Sequence, residues 1–147
     1  MLSRKDRSSL AGEFYTLAEL YRRGYNAFIT LGKAKQIDII VKKSSVSLSI
    51  EVKTRMSGGQ FLCQYPKKDD IQKVWCFVDL YKKGSGQPDF YILSAKDLIE
   101  IHKKRRAFIK KQEEYGKKYS PFSRLDVTLD TLKKYKDNWS LIESKLK

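Results

Sequence analysis

Two runs near the middle of the chain, "QIDIIVKK" and "VSLSIEVKT", alternate apolar and polar positions. A period of two marks strands that turn one face to a core. Leu48, Ile50 and Val52 share one face, so Glu51 and Lys53 share the other, with Cα atoms about 6.6 Å apart. On the preceding strand Asp38 points away from Ile37 and Ile39. The linking "KSS" is short and polar and suits a tight antiparallel connection. Antiparallel pairing brings Asp38 to the side of Glu51 and Lys53.

Helical spacing governs the ends of the chain. "SSLAGEFYTLAELYRRGY" repeats Leu10, Phe14, Leu17, Ala18 and Tyr21 at three- and four-residue steps, which predicts an amphipathic helix capped by Ser8 or Ser9 and stopped by Gly24. Glu13 lies three residues after Leu10 and four before Leu17, on the predicted buried stripe. "NAFITL" follows as a first strand ended by a turn around Gly32. "IQKVWCFVDLY" and "PDFYILS", rich in β-branched and aromatic residues, predict two more strands joined by a turn in "KKGSGQ". "RMSGGQFLCQYPKKDD" has Gly-Gly and Pro and reads as a loop with one short element. "AKDLIEIHKKRRAFIKKQEEYGKKY" returns to helical spacing through Leu98, Ile101, Arg105 and Phe108, until "SPFSR" breaks it. A last helix in "LDTLKKYKDNWSLIESKL" docks Leu129, Leu132, Tyr135, Trp139 and Leu141. No repeat or linker divides residues 1–147, so a single domain with a sheet covered by helices is expected.

Composition adds a partner class. Apolar residues make up 41% of the 147, enough for a core, and 31 Lys and Arg against 17 Asp and Glu leave a net charge of +14. Such an excess points to a polyanion, nucleic acid ahead of an anionic membrane, although a lysine-rich surface also serves solubility alone. Cys63 and Cys76 have no CxxC spacing, which argues against a zinc site and fits a reducing compartment. No run approaches ~18 apolar residues, so no membrane span is expected. The start "MLSRKDRSSL" lacks the apolar core of a signal peptide, and the cytoplasm is the expected compartment.

The three charged residues of the central strands have a chemical use. Two carboxylates held close raise each other's pKa unless a cation lies between them. Mg²⁺ supplies that charge and prefers oxygen ligands with retained waters. Phosphodiester hydrolysis uses a metal to polarise phosphate and lower the pKa of a water. It also uses a cation to orient the water or stabilise transition-state charge, and Lys53 beside Glu51 suits either role. Glu13, an acid on an apolar stripe, needs a partner, either a water-mediated metal contact or Lys53. E-x-K alone is common on solvated strands; the weight lies in Glu13, Asp38, Glu51 and Lys53 together.

Glu13, then "QIDIIV" with Asp38, then "IEVKT" with Glu51 and Lys53, resembles the PD-(D/E)XK nuclease superfamily, most of all its small members such as archaeal Holliday junction resolvases and restriction-endonuclease-like proteins. "GEFYTLAELYRRGYNAF" is similar to the helix that opens their core. The resemblance covers about residues 8–95. It implies an α/β fold with an α-β-β-β-α-β core and a mixed central sheet flanked by helices, to which the helical spacing over about 96–147 adds extra C-terminal helices. It implies Asp38 and Glu51 as ligands of Mg²⁺ or Mn²⁺, with the Val52 carbonyl as a third. Lys53 becomes the catalytic lysine, Glu13 an accessory acid, and Gln36 and Thr54 contacts to water or phosphate. Two departures stand out: Ile37 replaces the motif's proline, and the helix that follows the E-x-K strand has no counterpart in "RMSGGQFLCQYPKKDD".

The function these readings imply is a metal-dependent endonuclease hydrolysing DNA. Cutting both strands needs two active sites, which favours a homodimer. The alternatives are a nucleic-acid-binding module that keeps the fold without cutting, and an interaction domain whose charge serves solubility. Lys33 and Lys35, just before the candidate site, are candidates for substrate phosphate. Eight Lys or Arg within residues 102–118, against Glu113 and Glu114, predict a basic helix face with Phe108 and Tyr115 inward. His102, the only histidine, has no catalytic partner at useful spacing and is read as incidental.

Overall fold

The computed structural model describes residues 1–30, 37–56, 58–80, 86–118 and 124–147. The elements are helix α1 (Arg4–Arg22), strands β1 (Asn26–Ile29), β2 (Ile39–Lys43), β3 (Val46–Arg55), β4 (Phe61–Gln64), β5 (Val74–Asp79) and β6 (Asp89–Ser94), helix α2 (Ala95–Glu114), strand β7 (Arg124–Val127) and short helices α3 (Leu129–Leu132) and α4 (Ser140–Lys145). Lys33, Lys35 and Gln36, the turn at Gly32, and most of "KKGSGQ" and "SPFSR" lie outside the described residues.

Five strands form one mixed sheet in the order β1-β2-β3-β5-β6. β2 and β3 pair antiparallel across the Ser44–Ser45 turn, where Ser44 takes a φ of 53°. β3 and β5 run parallel, with Ile50 beside Val74 and Arg55 beside Asp79. A parallel neighbour requires a crossover, and in place of the α-helix implied by the resemblance this one carries β4 and a 3-10 turn, Lys68–Asp70. β4 pairs with β7 in a separate two-stranded sheet.

The alternation of side chains splits the core in two. Ile39, Val41, Leu48, Ile50, Val52, Val74, Cys76 and Ile92 pack under α1 and α4 with Leu20, Trp139 and Ile142. Trp75, Phe77, Tyr91 and Leu93 face the other way, against Phe61, Cys63, Leu98, Ile101, Val127 and Leu132. Burying roughly 25 cal/mol per Å² of apolar surface on both sides fixes strand register, because a one-residue slip exchanges the two faces.

Expectations about three helices change. α1 starts at Arg4, with Ser3 accepting from the Asp6 amide, so Ser8 and Ser9 lie inside the helix. Its buried positions are Gly12, Glu13, Thr16 and Leu20, while Phe14 and Tyr21 are exposed. The helix is rotated because Gly12 lacks a side chain and lets the backbone settle on Thr54 of β3. The predicted last helix is broken in two. Asp137, at φ 52°, donates its amide to the Phe90 carbonyl, and Asn138 donates its side-chain amide to the Ile92 carbonyl. The segment thus crosses the β6 edge, seating Leu132 and Tyr135 on one side and Trp139, Ile142 and Leu146 on the other. On α2, Phe108 (49% exposed) and Tyr115 (75%) are not inward, because the helix buries only Ala95, Leu98, Ile101, His102 and Ile109.

Candidate functional site

The middle of β3 brings two charged side chains to one place. Lys53 Nζ donates to Glu51 Oε1 at 2.6 Å, with both side chains partly buried. They share the face away from α1, as the strand period requires. Asp38 sits one residue before β2, opposite Glu51 if the Ile39–Ile50 register is extended. The ladder ends there, and the Val52 amide donates to Asp38 Oδ2 at 2.8 Å. A carboxylate in that position takes a main-chain donor and leaves the two strands parted at the site.

The electrostatics favour a charged lysine. Burial pulls the Lys53 ammonium down, but the bonded Glu51 carboxylate, with Cys63 and Asp38 nearby, outweighs it and holds the pKa above the ordinary lysine value. The group therefore keeps its proton throughout the neutral range. Burial pushes the Cys63 thiol up to about 12, so Cys63 is a neutral, unreactive wall.

Glu13 and Thr54 belong to the opposite side of β3. Glu13 is 4% exposed on the sheet-facing side of α1, next to Gly12. The Thr54 side chain meets Gly12, and its Oγ1 is buried without a hydrogen-bond partner. Thr54 thus seats the helix carrying Glu13, while Glu51 and Lys53 open to the far face.

Two clefts flank Lys53. One, of about 580 Å³, is lined by Glu51, Lys53, Cys63, Tyr65, Lys67 and Lys73. The other, of about 800 Å³, runs past Arg4, Lys5, Ser8, Gln60 and Gln64 to Lys53. The sequence reading missed these walls. β4 does show a strand pattern, with Phe61 and Cys63 inward and Leu62 and Gln64 outward. Four residues are a short signal, and the partner strand β7 begins sixty residues later. Beyond the pair, Arg55 makes a two-pronged bond to Asp79 (Nε–Oδ1 3.0 Å, Nη2–Oδ2 2.7 Å), with side chains 10% and 6% exposed. This ties the ends of β3 and β5 beside the clefts. The Arg55 guanidinium also reaches the Gly59 carbonyl and lies 5.5 Å from the Phe61 ring centre, fixing the path into β4.

Among the described residues no three His, Cys, Asp or Glu side chains gather as a complete metal cage. Asp38 and Glu51 with a main-chain carbonyl and solvent make an oxygen-only donor set, which suits a small hard cation that keeps several waters.

No protein-family model matches the chain, and no curated protein matches it in sequence. Solved structures do match its fold. The bacterial homing endonuclease I-Ssp6803I superposes with a TM-score of 0.60 at 11% identity, over 97% of this chain and 95% of that one. The Holliday junction resolvase Hjc of Archaeoglobus fulgidus superposes with a TM-score of 0.52 at 11% identity, over 92% and 95%. The chain therefore has the α/β fold of these restriction-endonuclease-like nucleases, with its mixed sheet flanked by helices.

Proposed function

We propose that the chain is a metal-dependent endonuclease that hydrolyses DNA phosphodiester bonds in the cleft floored by Glu51 and Lys53. The observation that carries this reading is the Lys53–Glu51 pair beside the Asp38 carboxylate, on a fold shared with a homing endonuclease and a junction resolvase. Asp38, Glu51 and the Val52 carbonyl would hold Mg²⁺ or Mn²⁺. A bound ion of this kind polarises a phosphoryl oxygen and lowers the pKa of a bound water.

The chain's own residues do the rest. Lys53, charged at neutral pH, offers its ammonium to a phosphate oxygen or to the attacking water, where charge develops. Glu51 holds that ammonium in place until substrate arrives. Glu13, buried on the α1 side of β3, is assigned as the accessory acid, acting on the site through the strand that lies between them. Lys33, Lys35 and Gln36, which precede the cleft residue Ile37 in sequence, complete the substrate contacts, and Thr54 keeps α1 in register. A homodimer would present two such sites to one duplex.

Purified protein is incubated with plasmid, branched and single-stranded DNA, with Mg²⁺, Mn²⁺ or chelator, beside Asp38→Asn, Glu51→Gln and Lys53→Ala. Cutting is expected only with metal and is expected to fall by about a hundredfold or more in each variant. Cutting that persists in all three variants would sink the assignment. Salt-sensitive binding with no cutting of any substrate by the native protein would mark a binding module instead.

A further inference from the structure

We infer that Lys103, Arg106 and Lys110 form a phosphate-tracking row along α2 that carries a duplex arm of the substrate away from the cleft. The inference rests on the nuclease reading for the point where the row meets the cleft. α2 is about 30 Å long. Beyond His102 its only buried residue is Ile109, so the second half is bound to the body along a narrow line. Residues 101–112 hold six cations and no carboxylate. Like charges three or four residues apart repel one another, so this stretch is strained by its own field unless an anion covers it. A merely solvated helix face has no need of that arrangement and is usually interleaved with acids.

Spacing and position select the row. Lys103, Arg106 and Lys110 are separated by three and four residues, which places them on one side of the helix, about 5–6 Å apart. All three are exposed, and among the described residues none has an ion-pair partner. Within α2, Lys104 pairs with Glu100 at 3.5 Å and leaves the row untouched. The Arg106 guanidinium lies 5.3 Å from the Tyr65 ring centre, and Tyr65 lines the cleft that holds Glu51 and Lys53. His102 meets the same ring edge-on at 5.5 Å, which fixes Tyr65 against the helix. The row therefore meets the cleft wall at its middle member, Arg106. Evenly spaced cations leading out of a phosphodiester-cleaving cleft match the regular charge of a nucleic-acid backbone better than the uneven charge of an acidic protein surface.

The test measures binding of a 30-base-pair duplex to the full chain in chelator, so that cleavage does not intervene, over a range of salt. K103E/K110E is expected to weaken binding about tenfold or more and to flatten the slope of log affinity against log salt by about two. K134E/K147E makes the same change in net charge on exposed lysines of the C-terminal segment and is expected to shift affinity by less than about threefold. Equal losses in the two variants mean a diffuse field and overturn the row. So does an unchanged affinity and slope in K103E/K110E. Vesicles of phosphatidylserine and phosphatidylcholine are the second probe; loss of vesicle binding with duplex binding intact assigns the face to a membrane and overturns the inference. Circular dichroism checks folding, and K103Q/K110Q, expected to show a smaller loss in the same direction, replaces the reversal if that variant misfolds. Failure of the nuclease reading appears separately, as a native protein that cuts nothing while its duplex binding still depends on Lys103 and Lys110.

Discussion

At the scale of single residues, two positions convert sequence into measurable stability. A Cβ on Gly12 would overlap Thr54 Oγ1 and come within 2.8 Å of its Cβ and Cγ2. Gly12→Ala is therefore expected to destabilise the fold by about 1–3 kcal/mol in a denaturant titration, despite the better helix propensity of alanine. His102 is 1% exposed, and burial, then the Arg106 charge, lowers its pKa to about 4. Its folded value lies below the unfolded value of about 6.5, so its contribution is present above pH ~6.5 and lost as pH falls toward 4. Thermal melts from pH 7 down to pH 4 are expected to show a stability loss that is smaller by about 1–3 kcal/mol in His102→Leu. The Tyr65 ring against His102 makes this titration a reporter of the cleft wall.

At the scale of elements, two contacts hold pieces far apart in the chain. The C-terminal segment wraps the β6 edge, where Lys136 bridges to Tyr91, and so covers a strand that would otherwise be open to pairing with another chain. Trp139 anchors the far side under α1, with the Arg23 guanidinium 4.6 Å from its ring centre and Phe90 edge-on at 5.2 Å. Trp139→Ala is expected to cost about 3–5 kcal/mol, read as a lower denaturation midpoint. Arg55 and Asp79 close the ends of β3 and β5. Asp79→Ala strands a buried guanidinium and is expected to cost about 3–5 kcal/mol, whereas replacing both partners by apolar residues costs much less.

At the scale of the whole molecule, the sheet is a partition. The face under α1 and α4 is core, and the other face is core at β5 and β6 but opens to clefts at β3. A cation held by Asp38 and Glu51 would stabilise the fold by about 2.7 kcal/mol at a hundred times its dissociation constant. Mn²⁺ is thus expected to raise the melting temperature of the native protein, and Asp38→Asn/Glu51→Gln to abolish that rise. A shift of equal size in the double variant would place the ion elsewhere.

The sequence by itself determined what depends on local periodicity. The period of two put Leu48, Ile50 and Val52 on one face and Glu51 and Lys53 on the other, and the short Ser-rich turn brought Asp38 to the Val52 amide. Helix α2 and the stop at Gly24 were legible for the same reason, because each depends on neighbours within a turn or two. Tertiary structure decided whatever depends on distant partners. The rotation of α1 follows from the contact of Gly12 with Thr54, forty-two residues on, and no helical wheel contains that contact. β4 exists as a strand because β7 pairs with it, and the final helix breaks because Asp137 and Asn138 bond to β6. Period reveals which face a side chain takes; only packing decides what that face meets.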